Sequence, residues 1–255
     1  MSIILETQGM ARRFGGLQAI SDCNLRLETG HAHGVIGPNG AGKTTLFNVI
    51  TGIYRPSEGG VFFKGQRIDG LRPNEIAARG VARTFQNIRL FKNLTVLENV
   101  QVAFDHCLRY SPAEALGRWG RVAKAEHRSL DGCLDLLNQF GMEGMAAERA
   151  GDLPYGSQRK LEIARAIALR PAVLLLDEPA AGMNPVETHQ LLAFLQWVRE
   201  QYQVSMLLIE HHMQLVMALC DRITVLDFGV TIAEGTPAEI RSHPRVIEAY
   251  LGEKE

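Results

Sequence analysis

The sequence predicts an α/β fold: a mixed, mainly parallel sheet, an antiparallel β region at its N-terminal end, and an α-helical subdomain inserted in the middle. Three observations predict it. Helix and strand patterns alternate through the C-terminal part: helix 157–170, strand 173–177, helix 186–202, strand 204–210, helix 213–220, strand 222–228. Strand–helix–strand at that spacing implies parallel strands. A glycine-rich loop joins a short apolar strand to a helix near residue 40. Between residues 95 and 150 the β-branched strand pattern fades and helical spacing replaces it. The expected organisation is one domain over 1–255, with a core at 1–94 and 158–255 and a helical subdomain at 95–157.

The opening third reads as strands. "SDCNLRLE" (21–28) alternates, with Cys23, Leu25 and Leu27 on one face and Asp22, Asn24 and Arg26 on the other. "HAHGVIG" (31–37) is a short apolar strand ending on glycine, and "VFFKGQRI" (61–68) reads as another strand entered through a turn. In the middle, "LTVLENVQVAF" has helical spacing. "EHRSLDGCLDLLNQFGM" does too, with Leu130, Cys133, Leu134, Leu137 and Phe140 as an apolar stripe that stops at Gly141.

Bulk composition narrows the function classes. The 255 residues carry 27 basic and 28 acidic side chains, a net charge of −1, so electrostatics give no reason to expect nucleic-acid binding. The four cysteines (Cys23, Cys107, Cys133, Cys220) are widely spaced and form no metal or redox pair, so reduced thiols are the expectation. No apolar run reaches the roughly 18 residues of a membrane span, and the start lacks the pattern of a signal peptide.

"GPNGAGKTT" carries the most specific chemistry. Gly37, Gly42, Lys43 and Thr44 form G-x4-GK-T between a strand and a helix, the context this motif needs. Backbone N–H groups of such a loop curl around phosphates, and the new helix adds its positive end. Asn39, Gly40 and Thr45 complete the candidate phosphate-binding set. Lys43 reaches the β- and γ-phosphates and the Thr44 hydroxyl can hold Mg²⁺. "VLLLDEP" then places Asp177 and Glu178 at the C-terminal end of a buried parallel strand, the edge where open α/β sheets bind ligands. Asp177 is suited to a metal and Glu178 to activating a water.

With both motifs and "LPYGSQRK" between them, the chain resembles the ATP-binding subunits of ABC transporters over essentially its whole length. The resemblance implies ATP and Mg²⁺ as ligands. It makes Gln86 in "RTFQN" the Q-loop residue, a further candidate at the catalytic centre and the metal. It makes His211 in "LLIEHHM" the switch histidine, Phe14 in "RRFGG" the aromatic that stacks on adenine, and "AAGMNP" (180–185) the D-loop. Tyr155, Gly156 and Ser157 fall in the signature loop, which in that family approaches ATP held by the other subunit of a head-to-tail dimer. "GPNGAGKTTLFNVITG", "VARTFQNIRLFKNLTVLENV", "DEPAAGMNP" and "EAYLGE" are most similar to branched-chain amino acid importer ATPases, of the larger, LivG type.

That likeness implies uptake of branched-chain amino acids, permease subunits as membrane partners, and a second ATPase subunit, the same or different. It also implies a periplasmic binding protein at one remove, and a peripheral position on the cytoplasmic face of the inner membrane. "NIRLFKNLTV" offers Ile88, Leu90, Phe91 and Leu94 to a short permease helix. Urea or amide import, lipid export, a ribosome- or DNA-directed ATPase, and an ATP-binding switch with impaired hydrolysis are the alternatives.

Four positions depart from the family pattern. Pro154 replaces the signature serine and Ser157 its glutamine, His212 stands where relatives carry an acid, and Asn184 replaces a D-loop aspartate, as the importers also do. Pro154 removes a hydroxyl and one N–H, but Gly156, Ser157 and the helix start remain to compensate. A working ATPase is the expectation.

Overall fold

The computed structural model describes residues 2–106 and 119–251, so Cys107 and the end of the "EAYLGE" stretch lie outside the described residues. The chain forms two compact units, Met1–Gln86 with Ala172–Glu255, and Asn87–Pro171.

The first unit holds two sheets. One is antiparallel, in the order β2-β1-β5-β6 with β3 also on β1: β1 Ile3–Phe14, β2 Leu17–Cys23, β3 Arg26–Glu28, β5 Glu58–Phe63 and β6 Gln66–Arg67. The other has six strands, β11-β10-β4-β9-β8-β7: β4 Ala32–Ile36, β7 Val81–Arg83, β8 Val173–Asp177, β9 Ser205–Ile209, β10 Arg222–Asp227 and β11 Val230–Gly235. All its pairings are parallel except β10–β11. β4, β8 and β9 are buried at every residue, as parallel strands covered on both faces must be.

Two stretches read as single strands are each two. At 21–28, Asp22 has φ 47° and Asn24 donates to both its carbonyl and its carboxylate. The chain turns there, so β2 and β3 pair with different parts of β1. The alternation survives the break, and Cys23, Leu25 and Leu27 are fully buried. At 61–68, Lys64 and Gly65 (φ 50° and 73°) make a two-residue hairpin turn between Phe63 and Gln66.

The helices of this unit are α1 Lys43–Ile50, α2 Pro73–Arg79, α6 Pro185–Tyr202, α7 Met213–Leu219, α8 Pro237–Arg241 and α9 Pro244–Leu251. Asn184 explains its own place: its side chain accepts from Val186 and Glu187 N–H, Pro185 occupies the first helical position, and Glu187 reaches back to the Asn184 N–H. That is a capping box with the preferred helix-opening proline.

The second unit is helical: α3 Val96–His106, α4 Trp119–Gln139 and α5 Tyr155–Ala168. Thr95 and Glu98 cap α3 reciprocally. The α4 stripe is rotated from its expected position: Leu134 is exposed and Leu136 takes its place beside Cys133, Leu137 and Phe140. The spacing is unchanged, so the register of the buried face moves while the helix assignment stands. Buried Asn99 fastens the segment before α3, accepting from Phe91 N–H and donating to the Phe91 and Thr95 carbonyls. No helix among the described residues is long and apolar enough to cross a membrane.

Candidate functional site

The loop 37–42 sits between β4 and α1. Gly37 and Gly42 adopt φ 149° and 98°, and a Cβ on them would overlap the Leu226 and Ala19 carbonyl oxygens. Only glycine therefore lets the loop lie this close to β10 and β2. Gly42 caps α1 without a side-chain bond, so no capping side chain competes for the first-turn N–H groups. Lys43 is buried, its Nζ donating to the Gly37 and Pro38 carbonyls at 2.6 and 2.8 Å. A cleft of about 450 Å³ opens here, lined by Phe14, Asn39, Gly40, Gly42, Lys43, Thr44, Thr45 and Glu178 among others. Eight of the residues expected from separate stretches of sequence thus share one surface. Phe14 is 37% exposed, with the Arg12 guanidinium 4.5 Å from its ring centre and Tyr54 edge-on at 5.1 Å.

Glu178 follows β8 with φ 46°, and its N–H donates to the Ile209 carbonyl at 2.8 Å. Its carboxylate is shared: Gln86 Nε2 donates to Oε2 at 2.6 Å, and His211 Nε2 lies 2.7 Å from Oε1. Three residues expected at the catalytic centre, 92 and 33 positions apart from Glu178, meet on one group. The adjacent Asp177 is buried and paired with Arg83, whose Nη2 donates to Oδ2 at 2.6 Å. Arg83 Nη1 donates to Asn48 of α1 and to Thr51, which caps its C-terminal end, and the guanidinium lies against the rings of Phe47 and Phe85. Arg83 thereby ties β7, β8 and α1 together.

Tyr155, Gly156 and Ser157 belong to the other unit, in the first turn of α5. Pro154 is the N-cap residue, with φ −55°, ψ 150° and no side-chain cap, a conformation proline takes without strain. The Tyr155 hydroxyl accepts from Arg159, which also pairs with Glu162 inside the unit. His212 is exposed and N-caps α7 without a side-chain bond.

Sequence reading missed several residues at or near the site, Gln18, Ala19 and Ala41 of the cleft wall among them, and four bear on the argument. Arg83 and Glu210 act through partners remote in the chain. Leu17 and Phe228 line the cleft, and Phe228 is 87% exposed at φ 42°. Only "DFG" ahead of "VTIAEG", a turn signal between two strands, could have flagged Phe228.

A family model described as ABC transporter matches residues 20–181, and one described as branched-chain amino acid ATP-binding cassette transporter matches 230–255. The chain is 46% identical to the high-affinity branched-chain amino acid transport ATP-binding protein BraF of Pseudomonas aeruginosa, over 98% of each chain. It is 44% identical to LivG of Escherichia coli, with the same coverage. A solved ATP-binding cassette of an ABC transporter in its ADP conformation superimposes with a TM-score of 0.85 at 32% identity, covering 99% of this chain and 100% of that one. With the phosphate loop, the acidic strand end and the Gln86–Glu178–His211 cluster in this arrangement, the chain belongs to the ATP-binding subunits of ABC transporters, in the branched-chain amino acid group.

Proposed function

We propose that this chain binds and hydrolyses ATP to drive uptake of branched-chain amino acids through a membrane permease. The observation that carries the hydrolytic half is Glu178, a carboxylate on the wall of the phosphate cleft held between Gln86 and His211. Such a carboxylate can orient and deprotonate an attacking water, with His211, at its Oε1, placed to stabilise the γ-phosphate. Lys43 and the first-turn N–H groups of α1 neutralise the phosphate chain. Phe14 offers its ring to the base.

The oxygen donors fit Mg²⁺. No group of three His, Cys, Asp or Glu able to hold a metal occurs among the described residues. Thr44, Gln86 and Asp177 supply one carboxylate and neutral oxygens, the set that Mg²⁺ completes with phosphate oxygens and water. When bound, the ion would neutralise charge on the phosphates. Arg83 orients Asp177 for that contact.

The partners follow from the same reading. Tyr155, Gly156 and Ser157 would meet ATP held by a second ATPase subunit, so binding closes the pair and hydrolysis releases it. The 87–94 segment, with Phe91 half exposed and fastened by Asn99, is the permease contact. The subunit then works at the cytoplasmic face of the membrane, a periplasmic binding protein delivering the cargo. Cells carrying Lys43→Ala should lose uptake of labelled leucine, isoleucine and valine. Unchanged uptake would overturn the cargo assignment. ATP hydrolysis by the assembled transporter that survives Glu178→Gln would overturn the catalytic one. Charge reversal at Arg89 or Lys92 should spare ATP binding and weaken co-purification with the permease.

A further inference from the structure

Glu210 directly follows β9 and is 1% exposed. Its Oε1 accepts from the Ala180 N–H at 2.7 Å, and its Oε2 accepts from the N–H groups of His211 and His212 at 2.8 and 3.1 Å. Ala180 opens the 180–185 loop two residues after Glu178. We propose that Glu210 is a positioning residue for hydrolysis, locking that loop to the His211 backbone and so holding His211 Nε2 against Glu178.

The geometry is a double stitch between the ends of β8 and β9. On one side Glu178 N–H reaches the Ile209 carbonyl, and on the other Ala180 N–H reaches Glu210. The Glu178–His211 contact shares Glu178 with the first stitch, and His211 follows Glu210 of the second by one residue, its own N–H bonded to that carboxylate. A shift of the 180–185 loop therefore pulls on the segment that carries His211. Loop position and histidine distance become one variable, which is how a subunit pressing on the loop would gate the reaction.

The chemistry requires a carboxylate. Both oxygens face N–H donors, and a carboxylate is acceptor-only at both ends. Glutamine has nearly the same shape but turns an NH₂ toward one set of donors, leaving buried N–H groups without an acceptor. Aspartate keeps two acceptors on a shorter stem. Glu210 is not among the residues lining the nucleotide cleft, so nucleotide affinity and positioning are separable.

The proposal rests on the ATPase reading, and the test separates the two. In the full-length chain, Glu210→Gln should leave the affinity for a fluorescent ATP analogue within about two-fold and lower kcat roughly 10- to 100-fold at little changed KM. Glu210→Asp should recover part of that kcat. Nitrogen NMR of histidine-labelled protein, with His211 assigned from a His211→Gln variant, should show the His211 Nε2 resonance displaced in Glu210→Gln. That spectrum needs no turnover, so it reads the link even if the wild-type chain hydrolyses nothing. An unchanged His211 resonance with wild-type kcat in Glu210→Gln overturns the proposal. So does equal loss of stability and nucleotide affinity in both variants with no recovery by aspartate, which marks a merely structural role.

Discussion

His211 Nε2 lies 2.7 Å from Glu178 Oε1, and the two side chains come from the ends of neighbouring parallel strands, β9 and β8. Groups this close act as a unit. Glu178→Gln and His211→Ala should each lower kcat by roughly 10²- to 10⁴-fold. The double variant should fall little further, because removing either breaks the same constellation. Additive losses in steady-state kinetics would mean two independent roles.

His33 gives a pH-dependent stability term. It is buried in β4 between the Arg26 carbonyl and the Thr224 hydroxyl, and burial lowers its pKa from 6.5 to about 4. A histidine depressed in the fold costs nothing above its unfolded value. As pH falls from 6.5 the unfolded chain takes up the proton first, and stability drops until the folded value near 4 is passed. The loss should reach on the order of 3 kcal/mol. Urea midpoints at pH 7 and pH 5 should differ less in His33→Gln than in the parent chain.

Phe228 and Gly229 form the two-residue turn between β10 and β11, with φ 42° and 79°. Positive φ at both positions suits Asn-Gly, not an aromatic. Phe228→Asn should stabilise the chain by about 1 kcal/mol in thermal or urea melts. Its nucleotide affinity should be measured alongside, since Phe228 also walls the cleft.

His212 occupies the N-cap of α7 without capping it. His212→Asp should raise stability by about 0.5–1 kcal/mol through a bond to the first-turn N–H groups and the helix dipole. A melting curve identical to the parent would show that an acidic cap adds nothing to those donors.

The phosphate loop and the acidic strand end were legible because their chemistry is local: Gly37 to Thr45 is one loop and the first turn of the helix it opens, and Asp177–Glu178 ends one buried run. Strand β7 was not. Val81–Arg83 is three residues long, too short for any periodicity, and it becomes a strand only because β8 lies beside it. Arg83 and Glu210 were unreadable for a related reason. Each draws its role from a partner 94 or 30 residues away, and one of those partners is a bare backbone N–H. The α4 stripe failed more narrowly, since Leu134 and Leu136 are both leucines and spacing alone does not say which neighbour covers them.

The β10–β11 turn also decides how short the chain could be. Gly229 donates to the Ala41 carbonyl and accepts from the Ser21 N–H, while β10 itself runs beside β4, the strand that launches the phosphate loop. Every nucleotide motif is complete by His211. A fragment cut at Asp221 would keep all of them, yet leave β4 as a bare sheet edge and the loop without its buttress. The inheritable working part is longer than its list of signatures, and a truncated gene copy could retain the text of an ATPase without the means to hold a phosphate.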